Sequence, residues 1–285
     1  MAISKVGVVG CGLMGGGIAQ VVAQAGFPVT VVEANPELLD RGLGAVRRNL
    51  DGLVERGRLE AAQHGAAWGR LRGTVRLEDL ADVDLVIEAI TENVALKKET
   101  FARLDQICPT HAIVASNTSS CTVTEMAAAT KRPAQVLGLH FFNPAPVMKL
   151  VEVVRTILTS DQTIKTAWAF VEKLGKTPVA TTDTTGFIVN RLLVPYLLEA
   201  IRLLEAGIAS KEDIDQAMKL GCGYPMGPFA LLDLVGLDTT LFVAEVMFQE
   251  FRESRLAPPP LLRRMVLAGQ LGRKSGKGFY DYPSK

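Results

Sequence analysis

At 285 residues the chain is long enough for about two domains of roughly 150 residues and for a sizeable buried core. Its 48% apolar and 21% charged residues describe an ordinary globular protein and exclude a disordered or fibrous one. With 31 basic against 30 acidic side chains the net charge is +1, so neither nucleic acid nor an anionic membrane is expected as a partner.

In chain order, an apolar run at 5–9 reads as a strand and feeds a helix at 14–24 through Gly10-Cys11-Gly12-Leu13-Met14-Gly15. The segment up to Phe27 has the look of a secretory leader, but its glycines, Gln20 and Gln24 interrupt the apolar stretch, and a cytoplasmic protein is expected. A G-x-G-x-x-G between strand and helix has a physical reading. Gly10 permits the tight turn, Gly12 lets backbone amides approach a pyrophosphate, and Gly15 lets the helix lie close to the strand. Leu13 and Met14 then sit at the helix N-terminus, whose amides and dipole complete the cradle. The next strand, 29–33, ends in Glu33, 18 residues after Gly15, where a carboxylate accepts from both ribose hydroxyls. The same carboxylate repels a 2′-phosphate, which favours NAD over NADP, although Arg41 is near in sequence.

Helix 36–56 follows, then a Gly-rich segment, 63–76, that reads as a loop or short hairpin and carries His64. Strands at 84–89, 113–116, 136–140, 150–154 and 178–181 alternate with helices at 96–107, 124–129 and 163–174, a βαβ pattern that predicts a mostly parallel sheet. Thr122 with Glu125 forms a capping box, Asp161 can cap the following helix, and Gly26 and Gly175 follow helices where a left-handed residue is wanted. Two strands end in polar turns, Ser116-Asn117-Thr118-Ser119-Ser120 and His140-Phe141-Phe142-Asn143-Pro144, at the sheet edge where open α/β folds bind ligands. Glu152 stands alone in an aliphatic run. It either orients His140 and raises its basicity, or it faces solvent while His140 is a satisfied core residue. His64 and His111 read as solvated. Cys11, Cys108, Cys121 and Cys222 show no C-x-x-C pair and no zinc spacing; they read as buried thiols in a reducing compartment, with no metal expected.

Beyond Gly186 helical spacing takes over, which predicts a Rossmann-type domain over 1–183 and a smaller all-α domain over 184–285, joined by the polar stretch around 182–185. The apolar stretches at 188–204 and 229–248 are broken by charged residues, among them Arg191, Glu199 and Asp233, so neither is expected to span a bilayer. Met226-Gly227-Pro228 reads as a turn opening a helix. The basic segment Gly272-Arg273-Lys274 is either a solvated terminus or folds back toward the cofactor.

Taken together, the early glycine motif, Ser116–Ser120, Gly138-Leu139-His140-Phe141-Phe142-Asn143-Pro144-Ala145-Pro146, Asp183-Thr184-Thr185-Gly186-Phe187-Ile188-Val189-Asn190-Arg191, Tyr224-Pro225-Met226-Gly227-Pro228 and Gly272–Tyr280 resemble the short-chain L-3-hydroxyacyl-CoA dehydrogenases, a family that includes bacterial 3-hydroxybutyryl-CoA dehydrogenases. The resemblance runs nearly end to end. It implies reversible, NAD-dependent oxidation of a short L-3-hydroxyacyl-CoA, with His140 as catalytic base and Glu152 as its orienting partner. It places Ser119 and Asn190 at the substrate's 3-oxygen and beside the nicotinamide, and Glu92, Lys97, Asn117 and Asn143 at the cofactor or around the active site. It also implies a homodimer formed through the helical domain, and with Asn190 just past the joint the active site is expected between the domains. Two departures stand out: the family usually has Asp where Glu33 stands, and lysines where this chain offers Arg47, Arg48, Arg56 and Arg58. Coenzyme A phosphates would need such local cations because the overall charge is near zero. The competing readings are a dehydrogenase of free hydroxy or sugar acids on the same scaffold, and an idle cofactor-binding protein.

Overall fold

The computed structural model describes residues 2–282, and the chain divides into two compact units between Thr184 and Thr185. The first unit contains β1 (Val6–Val9), α1 (Leu13–Gln24), β2 (Val29–Val32), α2 (Pro36–Glu55), α3 (Ala61–Gly69), β3 (Leu71–Thr74), β4 (Leu85–Glu88), α4 (Val94–Ile107), β5 (Ile113–Ser116), α5 (Val123–Ala128), β6 (Val136–Phe141), β7 (Leu150–Arg155), α6 (Asp161–Lys173) and β8 (Thr177–Thr182). The strands form one eight-stranded sheet in the order β3-β2-β1-β4-β5-β6-β7-β8. All neighbours pair parallel except β6 and β7. The exception follows from chain length. Residues 142–149 are too few for a helical crossover, so β7 must return beside β6 in the opposite direction.

Strand periodicity decides which side chains meet. Val6, Val8, Leu85, Ile87, Leu137, Leu139, Phe141, Val151 and Val153 point to one face and pack on Ile18, Ala19 and Val22 of α1 and Ala167, Phe170 and Val171 of α6. Glu88, Ser116, Gly138, His140 and Glu152 alternate with these residues and therefore share the other face. Gly138 is close-packed there: a Cβ would stand 2.7 Å from that of Val154 and 3.3 Å from Val123 at the start of α5.

Local structure departs from the sequence expectation at several points. The segment 63–76 is no loop or hairpin. It supplies most of α3, opened by Gln63 accepting from the Glu60 amide at 3.1 Å, and then edge strand β3, which pairs parallel with β2. An exposed edge strand lacks the apolar alternation that marks a strand in sequence. Thr122 makes no capping bond. The first amides of α5 go instead to Asp183, which accepts from Val123 at 3.0 Å and Thr124 at 2.6 Å. Ser160, not Asp161, caps α6 by accepting from Thr163 at 3.2 Å. Gly26 (φ 99°) and Gly175 (φ 71°) take the left-handed conformation expected of them. Cys11, Cys108 and Cys121 are buried, whereas Cys222, at the end of its helix, is exposed.

The second unit is helical: α7 (Val189–Glu205), α8 (Lys211–Cys222), α9 (Pro228–Val235), α10 (Leu237–Phe251) and α11 (Pro260–Leu267). Leu197, Leu198, Ile201, Phe229, Leu232, Ala244 and Met247 are central to its core. Gly227 and Pro228 open α9, as the turn reading expects. The basic segment carries Arg273 and Lys274 exposed, but the chain beyond it is anchored. Buried Asp233 accepts from the amides of Phe279 and Tyr280, each at 2.9 Å, which folds the segment onto its own unit. No helix among the described residues is long and apolar enough to cross a membrane.

Candidate active site

Gly10 adopts φ 93°, and a Cβ on Gly15 would lie 1.9 Å from the Gly10 carbonyl oxygen, so both glycines are obligatory for the turn. Gly12 is different: a Cβ there would meet nothing within 4 Å, and it is the N-cap of α1 without any side-chain cap. The start of α1 thus presents uncapped backbone amides at an open glycine, with Leu13 exposed and Met14 half-buried beside it. Glu33 closes the neighbouring edge, accepting from the Cys11 amide at 2.7 Å and the Ala34 amide at 2.8 Å. Two anchored oxygens hold the carboxylate at the carboxyl end of β2. This open glycine, helix N-terminus and fixed carboxylate fit the pyrophosphate and ribose of a dinucleotide.

Further along the same sheet edge, the antiparallel register sets His140 directly opposite Glu152. Their side chains meet with Nδ1 2.6 Å from Oε2, both buried, and the Phe142 ring lies tilted at 51° against the imidazole, centroids 4.5 Å apart. A carboxylate on Nδ1 fixes the tautomer and presents Nε2 as the basic nitrogen. Of the two readings of Glu152, the structure therefore holds the paired one. The other imidazoles lie elsewhere. His64 meets Asp51 at 2.8 Å, and His111 meets Asp84 at 3.0 Å where β4 and β5 begin, at the opposite edge of the sheet.

The turn after β5 wraps a polar cluster. Glu92 accepts from the Ser119 amide at 3.0 Å, more loosely from the Ser119 hydroxyl at 3.4 Å, and from the Thr118 hydroxyl at 2.8 Å. Burial favours the protonated acid at Glu92, but the Lys97 ammonium and these donors outweigh it and hold the carboxyl below its ordinary range. Lys97 is 1% exposed and lies 2.7 Å from Glu88 and 3.4 Å from Glu92, so it sits beneath the turn and not on its surface. Burial pushes the Cys121 thiol up to about 11, and it donates to Glu92 at 3.3 Å as a neutral thiol. Asn117 accepts from the Phe141 amide at 2.9 Å and ties the ends of β5 and β6 together. Asn143 is exposed on the connection that follows β6. Asn190, on the first turn of α7, belongs to the second unit.

Sequence reasoning does not single out Glu88, and it names Ser116 only as the start of its polar turn; both lie under this cluster. Glu88 ends the apolar run Leu85-Val86-Ile87 and so carried the same buried-charge signal as Glu152. Among the described residues no group of three or more His, Cys, Asp or Glu residues could hold a metal ion.

A doubly wound sheet with a glycine turn, a terminal carboxylate and an imidazole–carboxylate pair along one edge defines a dinucleotide-binding enzyme scaffold. The chain belongs to the 3-hydroxyacyl-CoA dehydrogenase family, whose NAD binding domain matches residues 5–184 and whose C-terminal domain matches residues 186–282. It is 51% identical to a 3-hydroxybutyryl-CoA dehydrogenase of Mycobacterium tuberculosis over 283 residues, 99% of either chain. Among solved structures, FadB2 of M. tuberculosis superposes with a TM-score of 0.98 at 51% identity, covering 99% of this chain and 100% of that one. The (S)-3-hydroxybutyryl-CoA dehydrogenase PaaH1 of Ralstonia eutropha superposes with a TM-score of 0.95 at 44% identity, with the same coverage.

Proposed function

We propose that the chain catalyses the reversible, NAD-dependent oxidation of short L-3-hydroxyacyl-CoA thioesters, 3-hydroxybutyryl-CoA above all, to 3-ketoacyl-CoA. The observation that carries this reading is the buried His140–Glu152 pair at 2.6 Å on the sheet edge that also bears the glycine turn. NAD, when bound, would supply the acceptor for the hydride that leaves the substrate's C3. His140 takes the 3-hydroxyl proton through Nε2, and in the reverse direction the imidazolium returns it to the forming alkoxide. Glu152, on Nδ1, orients the ring and stabilises the imidazolium.

Ser119 and Asn190 donate hydrogen bonds toward the 3-oxygen, where charge changes most. The long 3.4 Å contact from the Ser119 hydroxyl to Glu92, beside the firm 3.0 Å bond from its amide, supports this: the backbone is fixed while the hydroxyl can turn to substrate. Gly10, Gly12, Leu13, Met14 and Gly15 form the pyrophosphate cradle and Glu33 takes the adenosine ribose, excluding a 2′-phosphate. Asn117 and Asn143 border the nicotinamide end, and Glu92 and Lys97 support it from below. A homodimer built through the helical unit, where Leu192, Leu220 and Leu267 are exposed, is part of the same proposal.

The test is NADH oxidation with acetoacetyl-CoA against free acetoacetate and keto forms of sugar acids. Saturable turnover of the thioester alone is expected; preference for a free acid, or no turnover of either, overturns the reading.

A further inference from the structure

Glu88 is fully buried as the last residue of β4, and the parallel register places it beside Ser116, the last residue of β5. Every side-chain contact it makes serves the turns that follow those two strands. Oε1 accepts from the Ile90 amide and from the Lys97 ammonium, each at 2.7 Å, and Oε2 accepts from the Ser116 hydroxyl at 2.7 Å. Ser116 Oγ accepts in turn from the Thr118 amide at 3.2 Å. Lys97 carries the connection on to Glu92 at 3.4 Å, and Glu92 holds the amide of Ser119. Two routes therefore run from one buried carboxylate to the turn that bears Ser119, one through Ser116 and one through Lys97 and Glu92.

Stability does not account for this arrangement. Taking charges out of water is costly, and buried ion pairs are often replaced by apolar residues without loss. Here two carboxylates share one ammonium, Glu88 fully buried beneath the turn and Glu92 with its side chain 28% exposed above it. What the arrangement does supply is a fixed conformation: both Glu88 oxygens, the Ser116 hydroxyl and the Lys97 ammonium are hydrogen-bonded to one another or to the turns, so the turns cannot move without breaking charge-assisted hydrogen bonds.

We infer that Glu88 is a positioning residue for the reaction, fixing Ser119 through Ser116 and through Lys97 and Glu92. The inference rests on the role proposed for Ser119. The Glu88→Gln change keeps the shape but removes the charge, and with its carbonyl on Ile90 and Lys97 its NH2 faces the Ser116 hydroxyl, which loses its acceptor and must rotate. A displacement of about 1 Å in the turn can cost up to roughly a hundredfold in rate.

The experiment is a double-mutant cycle between Glu88→Gln and Ser119→Ala, reading kcat and KM for acetoacetyl-CoA, the NADH dissociation constant by fluorescence, and Tm. Glu88→Gln is expected to lower kcat about tenfold or more, within that positioning range, with NADH affinity nearly unchanged. In the Ser119→Ala background it should lower kcat little further. An equal loss in both backgrounds, or a fallen Tm with wild-type kcat, overturns the inference while the proposed function stands. An unchanged kcat in Ser119→Ala alone removes the role of Ser119 and overturns the inference with it. Should Glu88→Gln fail to fold, Ser116→Ala cuts one route at the cost of a single buried hydroxyl, and the same two patterns decide.

Discussion

The two edges of the sheet carry the same chemical motif in different surroundings. At the carboxyl edge, His140 meets Glu152 at 2.6 Å with side chains 8% and 1% exposed. At the amino edge, His111 meets Asp84 at 3.0 Å with side chains 39% and 17% exposed. Pair formation alone therefore says little about catalysis. What differs is place: the first pair shares its edge with the glycine turn and the Ser119 turn, the second with the strand entrances, the start of α6 and the N-terminal residues Ser4 and Lys5. The carboxyl edge gathers the N-termini of helices that follow parallel strands; at the amino edge α6 begins instead, after antiparallel β7, with its cap Ser160 donating its amide to Ala134 before β6.

Substitutions can break or sharpen that contrast. The largest effect is expected from His140→Gln, which should cost roughly 10²- to 10⁴-fold in kcat while NADH affinity stays near wild type. Steady-state rates and fluorescence titration measure both, and near-normal turnover would put the base elsewhere. His111→Gln, at the other edge, should leave kcat untouched. Glu152→Gln comes next: the ring keeps a partner but loses the charge that stabilises imidazolium, so kcat should fall by less than in His140→Gln. Equal losses in the two variants would mean that Glu152 is needed for structure and not only for orientation. Smaller again is Glu33→Ser, which removes a ribose acceptor and a repulsive charge. It should lower kcat/KM for NAD about tenfold and raise that for NADP, since hydrogen bonds to charged groups are worth about 1.5–3 kcal/mol.

Much of this contrast is legible in the sequence. Gly10-Cys11-Gly12-Leu13-Met14-Gly15 and Glu33 can be placed because strand, turn and helix signals are local, and the seven principal strands follow from short apolar runs. His140 and Glu152 can be noticed separately but not joined, because their meeting depends on the antiparallel return of β7 and on a register that only pairing sets. The cap of α5 was hidden for a similar reason: Thr122 is the local candidate, and the group that binds the amides is Asp183, distant in sequence. Edge strand β3 was hidden because Arg72 and Gly73 are exposed and show no alternation. Glu88 was readable in principle, since a carboxylate closing an apolar strand needs a partner, but Lys97 and Ser116 become its partners only in the folded sheet.

The smallest expected effect lies at the amino edge and is one of stability. Burial works to raise the Asp84 pKa, but the Ser4 hydroxyl, the Lys5 and Ser4 amides and the His111 ring bring it down from 3.8 to about 2. A carboxyl whose folded pKa lies below its unfolded one stabilises the fold above the unfolded value and loses that contribution as pH falls through the folded value. Asp84→Asn should therefore be less stable than wild type at neutral pH, and the gap should close between about pH 4 and pH 2. Urea midpoints measured across that window test it. A gap that persists unchanged at pH 2 would mean that Asp84 acts through shape and not charge. A loss of turnover at pH 7 would mean that the amino edge reaches the chemistry after all, and the contrast between the two edges would fail.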